Sequence, residues 1–172
     1  MRKCYNGVTN RTEVEQNGMI FFGRFLGGDG VFCGQFHHNL DEKNRFKVPS
    51  SFREELGTKV YLIKSPDSAT NCIFMYSENG WNELYRQFNS GDQYNQETRR
   101  KTRKILSSVV YGEVDKNGRF TLNAGLKSAV GIGEELQIVG NNNHLELWSI
   151  AEWEKELGFF EEESTDDLNI NF

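Results

Sequence analysis

The chain has 172 residues, 37% of them hydrophobic and 26% charged, enough to bury a core as one medium domain or two small interlocked halves. Its apolar runs fall short of the roughly 18 residues of a membrane span, and Arg24 interrupts the best leader-like stretch, Met19 to Leu26, so a cytoplasmic protein is expected. The net charge of −5 hides an asymmetry: eight acidic residues against Lys155 alone lie between Glu152 and Phe172, leaving residues 1–151 with 19 basic against 17 acidic.

Residues 1–31 show no sustained periodicity and include Gly27-Gly28-Asp29-Gly30, so a disordered or loosely attached extension is expected. From Phe32 to Leu40 apolar and polar positions alternate, a strand signal. Asp41 to Arg45 reads as a turn and Phe46 to Val48 as a second strand, ended by Pro49. Ser51 and Glu54 have capping-box spacing for a short helix that stops at Gly57. Val60–Ile63 and Cys72–Tyr76 read as strands around a loop, and Ser77 caps a helix bearing Trp81, Leu84, Tyr85 and Phe88. Residues 89–108 form a polar connector and the start of a helix running from Glu97 to Val109, whose basic run Arg99-Arg100-Lys101-Thr102-Arg103-Lys104 reads as a solvated face.

The same order then repeats. A strand leads to Val114, followed by a turn, a strand from Phe120, a short helix near Ala124–Val130 and strands at Leu136–Val139 and Leu145–Trp148. Ser149 and Glu152 open a last helix through Trp153 and Leu157, and residues 158–172 form an acidic tail. The repeat is visible in the letters. Leu40-Asp41-Glu42-Lys43-Asn44-Arg45-Phe46 and Val114-Asp115-Lys116-Asn117-Gly118-Arg119-Phe120 share one pattern 74 positions apart; Phe52 answers Leu126, Gly57 answers Gly131 and, with the offset slipping to 72, Trp81 answers Trp153. Two units, 32–88 and 109–157, each of the form β-turn-β-α-β-β-α, are therefore expected, and because neither has strands enough to close a barrel, they should interlock. Trp81, Trp148 and Trp153 are read as core.

Asn44 and Gly118 occupy corresponding places, and Asn and Gly are the residues that most readily take a left-handed backbone, so both turns should need positive φ there. That places Arg45 and Arg119 equivalently at a strand entry, where a planar guanidinium suits phosphate oxygens or a guanine edge. Lys43, Lys47 and Lys116 add point charges. The alternative is that Asp41 and Asp115 hold these arginines in structural pairs.

These residues resemble the MraZ transcriptional regulators. The resemblance rests on Phe32-x-Gly34 leading to His38-x-Leu40-Asp41-Glu42-Lys43-Asn44-Arg45, on Val48-Pro49-Ser50-x-Phe52-Arg53, and on Val114 to Arg119. Val139-Gly140 through Leu145-Glu146-Leu147-Trp148 and Trp153 extends it, so that it runs from about Phe32 to Leu157. It implies an α+β, mainly β fold: a tandem pair of AbrB/SpoVT-like swapped-hairpin (double-split β-barrel) units with short helices, assembling into a ring. It further implies a repressor that binds direct repeats in the promoter of the division and cell-wall gene cluster containing its own gene, on the nucleoid, with DNA contacts carried by position to Arg45 and Arg119 and supported by Lys43, Lys47 and Lys116. Asn44 stands where that family has Gly, and Asn123 where it has a second Pro. Val31 stands where its initiator Met lies, so residues 1–30 are expected to derive from an upstream start. A ring-forming protein-interaction scaffold and an antitoxin-like DNA-binding relative are the other readings.

No catalytic role, cofactor, metal or small-molecule substrate is expected. His37 and His38 are adjacent on a strand and should face opposite ways, with no completing ligand motif. Cys4, Cys33 and Cys72 are too scattered for a disulfide framework.

Overall fold

Each turn motif is built by its own aspartate. In the computed structural model, which describes residues 31–90 and 95–162, Asp41 Oδ1 accepts from the amides of Lys43 and Arg45, both at 2.9 Å. Asp115 Oδ1 accepts likewise from Asn117 and Arg119, both at 2.8 Å. The amide of each aspartate donates to the carbonyl of the arginine, and φ is +56° at Asn44 and +73° at Gly118, the expected left-handed positions.

A turn closed so tightly would ordinarily make a hairpin. Here the flanking strands part. Strand β1 (Phe32–Asn39) pairs antiparallel with β7 (Glu135–Asn142), while β2 (Arg45–Lys47) pairs with β6 (Arg119–Thr121). Strand β5 (Val110–Glu113), the counterpart of β1, pairs with β3 (Lys59–Lys64). Strands β3 and β4 (Ile73–Ser77), and β7 and β8 (His144–Trp148), form ordinary antiparallel pairs, and β4 joins β8. The six-stranded sheet therefore runs β1-β7-β8-β4-β3-β5, beside a two-stranded ribbon β2-β6. Exchanging the two repeats turns that order into itself, so a pseudo-two-fold relates the halves and passes between β4 and β8 and through the ribbon. Interlocking is thus literal: each repeat's first strands pair with strands of the other.

The core lies between ribbon and sheet. Phe46 and Phe120 meet there with ring centroids 5.8 Å apart, and Val60, Leu62, Met75, Leu136, Ile138, Leu145 and Leu147 come from the sheet. Two short helices close it: α1 (Ser50–Leu56) with buried Phe52, and α4 (Ala124–Ala129) with buried Leu126. The capping box expected at Ser51 is corrected. The N-cap is Pro49, with no side-chain cap, because the helix begins two residues earlier than that box would start it and Pro49 fixes its entry. Asn123, by contrast, caps α4 by accepting from Gly125 and Leu126.

The far face of the sheet carries α2 (Glu78–Ser90), capped by Ser77, α3 (Gln96–Leu106), capped by Asn95, and α5 (Ile150–Glu162), capped by Ser149. Trp81 of α2 packs with Tyr61, Ile63 and Tyr76, and Trp153 of α5 with Cys72 and Trp148, so the three tryptophans are core as expected. Also on this face, Glu146 is buried, accepting from Trp148 Nε1 at 3.0 Å and Asn141 Nδ2 at 2.9 Å, with His144 Nε2 3.5 Å away. Burial pushes its pKa up, but these bonds outweigh it and hold the carboxyl below its ordinary range. Among the described residues, no helix is long and apolar enough to cross a membrane. The expected N-terminal extension, its start site and Cys4 lie outside the described residues.

Candidate nucleic-acid interface

Strand alternation sorts the ribbon. Phe46 and Phe120 point into the core, so their neighbours on each strand must point out. The outward face carries Arg45 and Lys47 on β2 and Arg119 and Thr121 on β6, with Lys47, Arg119 and Thr121 exposed and Arg45 half-buried. Register sets Lys47 directly opposite Arg119 and Arg45 directly opposite Thr121. Arg45 and Arg119 are therefore diagonal neighbours, roughly 7–8 Å apart at Cα. Lys43 and Lys116 are exposed in the two turns, at opposite ends of the ribbon. The structure thus brings Arg45, Lys47 and Arg119 onto one small surface and leaves Lys43 and Lys116 flanking it.

The rung formed by Lys47 and Arg119 is informative. Like charges directly opposite on a sheet repel and destabilise the pairing, and no acidic side chain stands between them on the ribbon. An anion bound across the rung would relieve that repulsion.

The two arginines differ in their surroundings. Arg45 donates from Nε and Nη2 to one oxygen of Asp41, Oδ2, at 2.7 Å each. The Arg45 bond, with the Arg45 and Lys43 amides, brings the Asp41 pKa down to about 2, and Asp41 in turn raises that of Arg45. A guanidinium has five N–H donors, so a pairing that uses two leaves three for a ligand and fixes the side chain's direction. Arg119 makes no side-chain hydrogen bond or ion pair among the described residues. Asp115 serves its turn through backbone bonds, above all from Arg119, and these lower its pKa. The structural pairing considered for both arginines is therefore present at the first turn alone.

Two further residues support the turns. Lys127 of α4 donates from Nζ to Asn44 Oδ1 at 2.6 Å. Arg53 of α1, its counterpart 74 positions earlier, lies over Gly118, where a Cβ would stand 2.5 Å from its Nε, and donates to the Val48 carbonyl at 2.7 Å. This explains why one turn tolerates Asn and the other has Gly. The amide of Val48 also donates to the Gly118 carbonyl, and that of Leu122 to the Asn44 carbonyl, bolting each turn to the opposite strand. Arg53 and Lys127 were not singled out from sequence as part of this site; extending the Phe52–Leu126 match by one position would have found them.

His37 and His38 do face opposite ways, His37 exposed with Nε2 3.6 Å from Glu135 and His38 half-buried. Among the described residues, no cluster of metal-ligating side chains forms.

The duplication of the chain agrees with comparisons to known proteins. The family model described as "MraZ protein, putative antitoxin-like" matches residues 31–104 and again 106–169. The chain belongs to the MraZ family. Among its curated relatives, the "Transcriptional regulator MraZ" of Thermoanaerobacter sp. (strain X514) is 36% identical over 146 residues, covering 81% of this chain and all of that protein. Proteins of the same name from Moorella thermoacetica and Desulforamulus reducens are each 34% identical over 125 residues. Both alignments cover 73% of this chain, with 85% and 86% of the respective relatives. MraZ is a family of transcriptional regulators, not of enzymes, and the double match agrees with a chain built of two tandem units.

Proposed function

We propose that this protein is a sequence-specific DNA-binding transcriptional regulator that lays the β2-β6 ribbon into a major groove. A B-DNA major groove is about 12 Å wide and admits a two-stranded β-ribbon. In this reading Arg45 and Arg119 meet guanine edges or phosphates, and Lys43, Lys47 and Lys116 meet phosphates from the flanks. The observation that carries it is the outward rung of Lys47 against Arg119, a like-charge pair that a phosphate backbone would stabilise. The family's character adds the finer reading: repression from direct repeats in the promoter of the division and cell-wall cluster that includes its own gene, by a nucleoid-associated ring of copies in the cytoplasm. The two SpoVT-AbrB-like repeats are assigned to residues 32–88 and 109–157, joined by 89–108 and flanked by 1–31 and 158–172.

The test is a titration of the full chain with DNA from upstream of its own gene and with scrambled DNA, across salt concentrations. Arg45→Ala or Arg119→Ala should weaken cognate binding about five- to a hundredfold with the fold intact, and narrow the preference over scrambled DNA. Lys47→Ala should weaken both DNAs alike and lower the salt slope by about one. Folded arginine variants that bind cognate DNA with wild-type affinity would refute the assignment.

A further inference from the structure

The pseudo-two-fold maps the two outward rungs of the ribbon onto each other, Arg45–Thr121 onto Arg119–Lys47, yet the two are chemically unlike. The difference begins in the turns. Asp41 is itself fixed through Oδ1 by the amides of Lys43 and Arg45, and its other oxygen takes both Nε and Nη2 of Arg45 at 2.7 Å. That pairing occupies the side edge of the guanidinium. The end-on edge, one N–H on each of Nη1 and Nη2, stays open, and with 33% of the side chain exposed it is within reach of a ligand. Two parallel donors held in one direction are the fork that fits O6 and N7 of a guanine. Lys127 braces the same turn through Asn44, at 2.6 Å.

The second turn has no such lock. Asp115 gives Oδ1 to the amides of Asn117 and Arg119, and among the described residues its carboxylate holds no side chain. Arg119 is exposed, so its side chain must lose rotamer freedom to settle on any one ligand atom. The residues across the rungs diverge in the same sense. Thr121, short and neutral, stands opposite Arg45, whereas Lys47, its counterpart 74 positions earlier, stands opposite Arg119. A neutral neighbour leaves the Arg45 fork to meet a base edge. A lysine beside Arg119 adds a point charge without fork geometry, which draws that pair to the phosphates.

We propose that the two rungs divide the work of the ribbon: Arg45, aimed by Asp41 and faced by Thr121, is the principal discriminator of a guanine, and Arg119 with Lys47 chiefly grips the phosphate backbone. Asp41 is a positioning residue, acting through Arg45. Each copy then sits on DNA in one orientation, because turning it about the pseudo-two-fold would set the gripping rung over the bases. The inference rests on the proposed docking of the ribbon in DNA and adds which of its residues choose the sequence.

The experiment is equilibrium binding of the full chain to duplexes in which each base pair of the site upstream of its own gene is replaced in turn, read as the fold-loss at each position. Wild type should lose about five- to a hundredfold at one guanine. Asp41→Asn keeps an oxygen for the turn amides but sets an amide against Arg45, so the loss at that guanine should shrink severalfold. Asp115→Asn removes the same charge from the equivalent turn and should leave the profile in its wild-type shape. Charge removal by itself would strengthen binding to every duplex alike, so the pair separates aim from charge. Arg45→Lys, which keeps the charge and drops the fork, should flatten the same position, while Arg119→Lys should leave most of the discrimination. Circular dichroism checks the fold of each variant. An unchanged profile in folded Asp41→Asn, or equal flattening by Asp115→Asn, would overturn the proposal. Should Asp41→Asn not fold, the two lysine variants decide, and equal flattening by both would overturn it. Wild type without preference for promoter over scrambled DNA would sink the ribbon assignment and this division with it; promoter preference alongside an unaffected Asp41→Asn sinks the division alone.

Discussion

Gly118 should be the least replaceable residue of either turn, and the structure separates the two reasons. Its φ of +73° lies in the left-handed region, where a side chain costs about 1–2 kcal/mol. A Cβ there would also stand 2.5 Å from Arg53 Nε and 2.7 Å from its Cζ. Arg53 can swing aside only by giving up its 2.7 Å bond to the Val48 carbonyl, which adds about 1 kcal/mol. Gly118→Ala should therefore destabilise by about 2–3 kcal/mol. Gly131 is the internal control: φ is +71° and nothing lies within 4 Å of its would-be Cβ, so Gly131→Ala should cost only the backbone share, about 1–2 kcal/mol. Urea unfolding followed by circular dichroism measures both. In the double variant with Arg53→Ala, the carbonyl bond is already gone, so the two changes should be less than additive by about 1 kcal/mol. Equal costs at Gly118 and Gly131, or strict additivity with Arg53→Ala, would refute the packing half of this reasoning.

The remaining predictions concern the ribbon and two carboxylates, one exposed and one buried. Phe120→Ala removes the partner of Phe46 and should cost about 3–5 kcal/mol in urea unfolding, with DNA binding lost at temperatures where the rest of the domain still melts cooperatively. The Asp41 pKa, near 2 in the folded chain, lies below its unfolded value of about 3.9, so its stabilisation is complete above about pH 4 and is lost as pH falls toward 2. Asp41→Asn, which keeps an oxygen for the turn amides, should flatten the melting temperature across that window; an unchanged acid profile would show that the pair contributes nothing. Glu146→Ala leaves the Trp148 and Asn141 donors without their acceptor and should cost about 1–3 kcal/mol, with Glu146→Gln costing less, measured by thermal unfolding near neutral pH.

Much of the local structure could be read directly from residues. The aspartate-led turns, the positive φ at Asn44 and Gly118, the stop at Gly57 and the inward tryptophans follow from side-chain chemistry within a few positions, and local chemistry survives whatever tertiary context surrounds it. The start of α1 differs from the capping-box position at Ser51 because that spacing occurs wherever Ser precedes Glu by three, whereas Pro49 decides where the helix can begin.

Strand partners were a different matter. An alternating pattern such as Arg45-Phe46-Lys47 serves equally for pairing within a hairpin or across to the other repeat, since alternation fixes which face is buried and says nothing about the neighbour. Only the folded chain sets Lys47 against Arg119, because only there do Phe46 and Phe120 find each other across the pseudo-two-fold. The same holds for the unlike surroundings of the two arginines and for Arg53 over Gly118, the latter a contact made between residues dozens of positions apart. Sequence by itself determined the duplicated unit and its turns, because these are short-range chemistry repeated at a fixed offset. Tertiary structure decided that the two copies share one ribbon and turn its cations outward, because burying both phenylalanines requires strands from both.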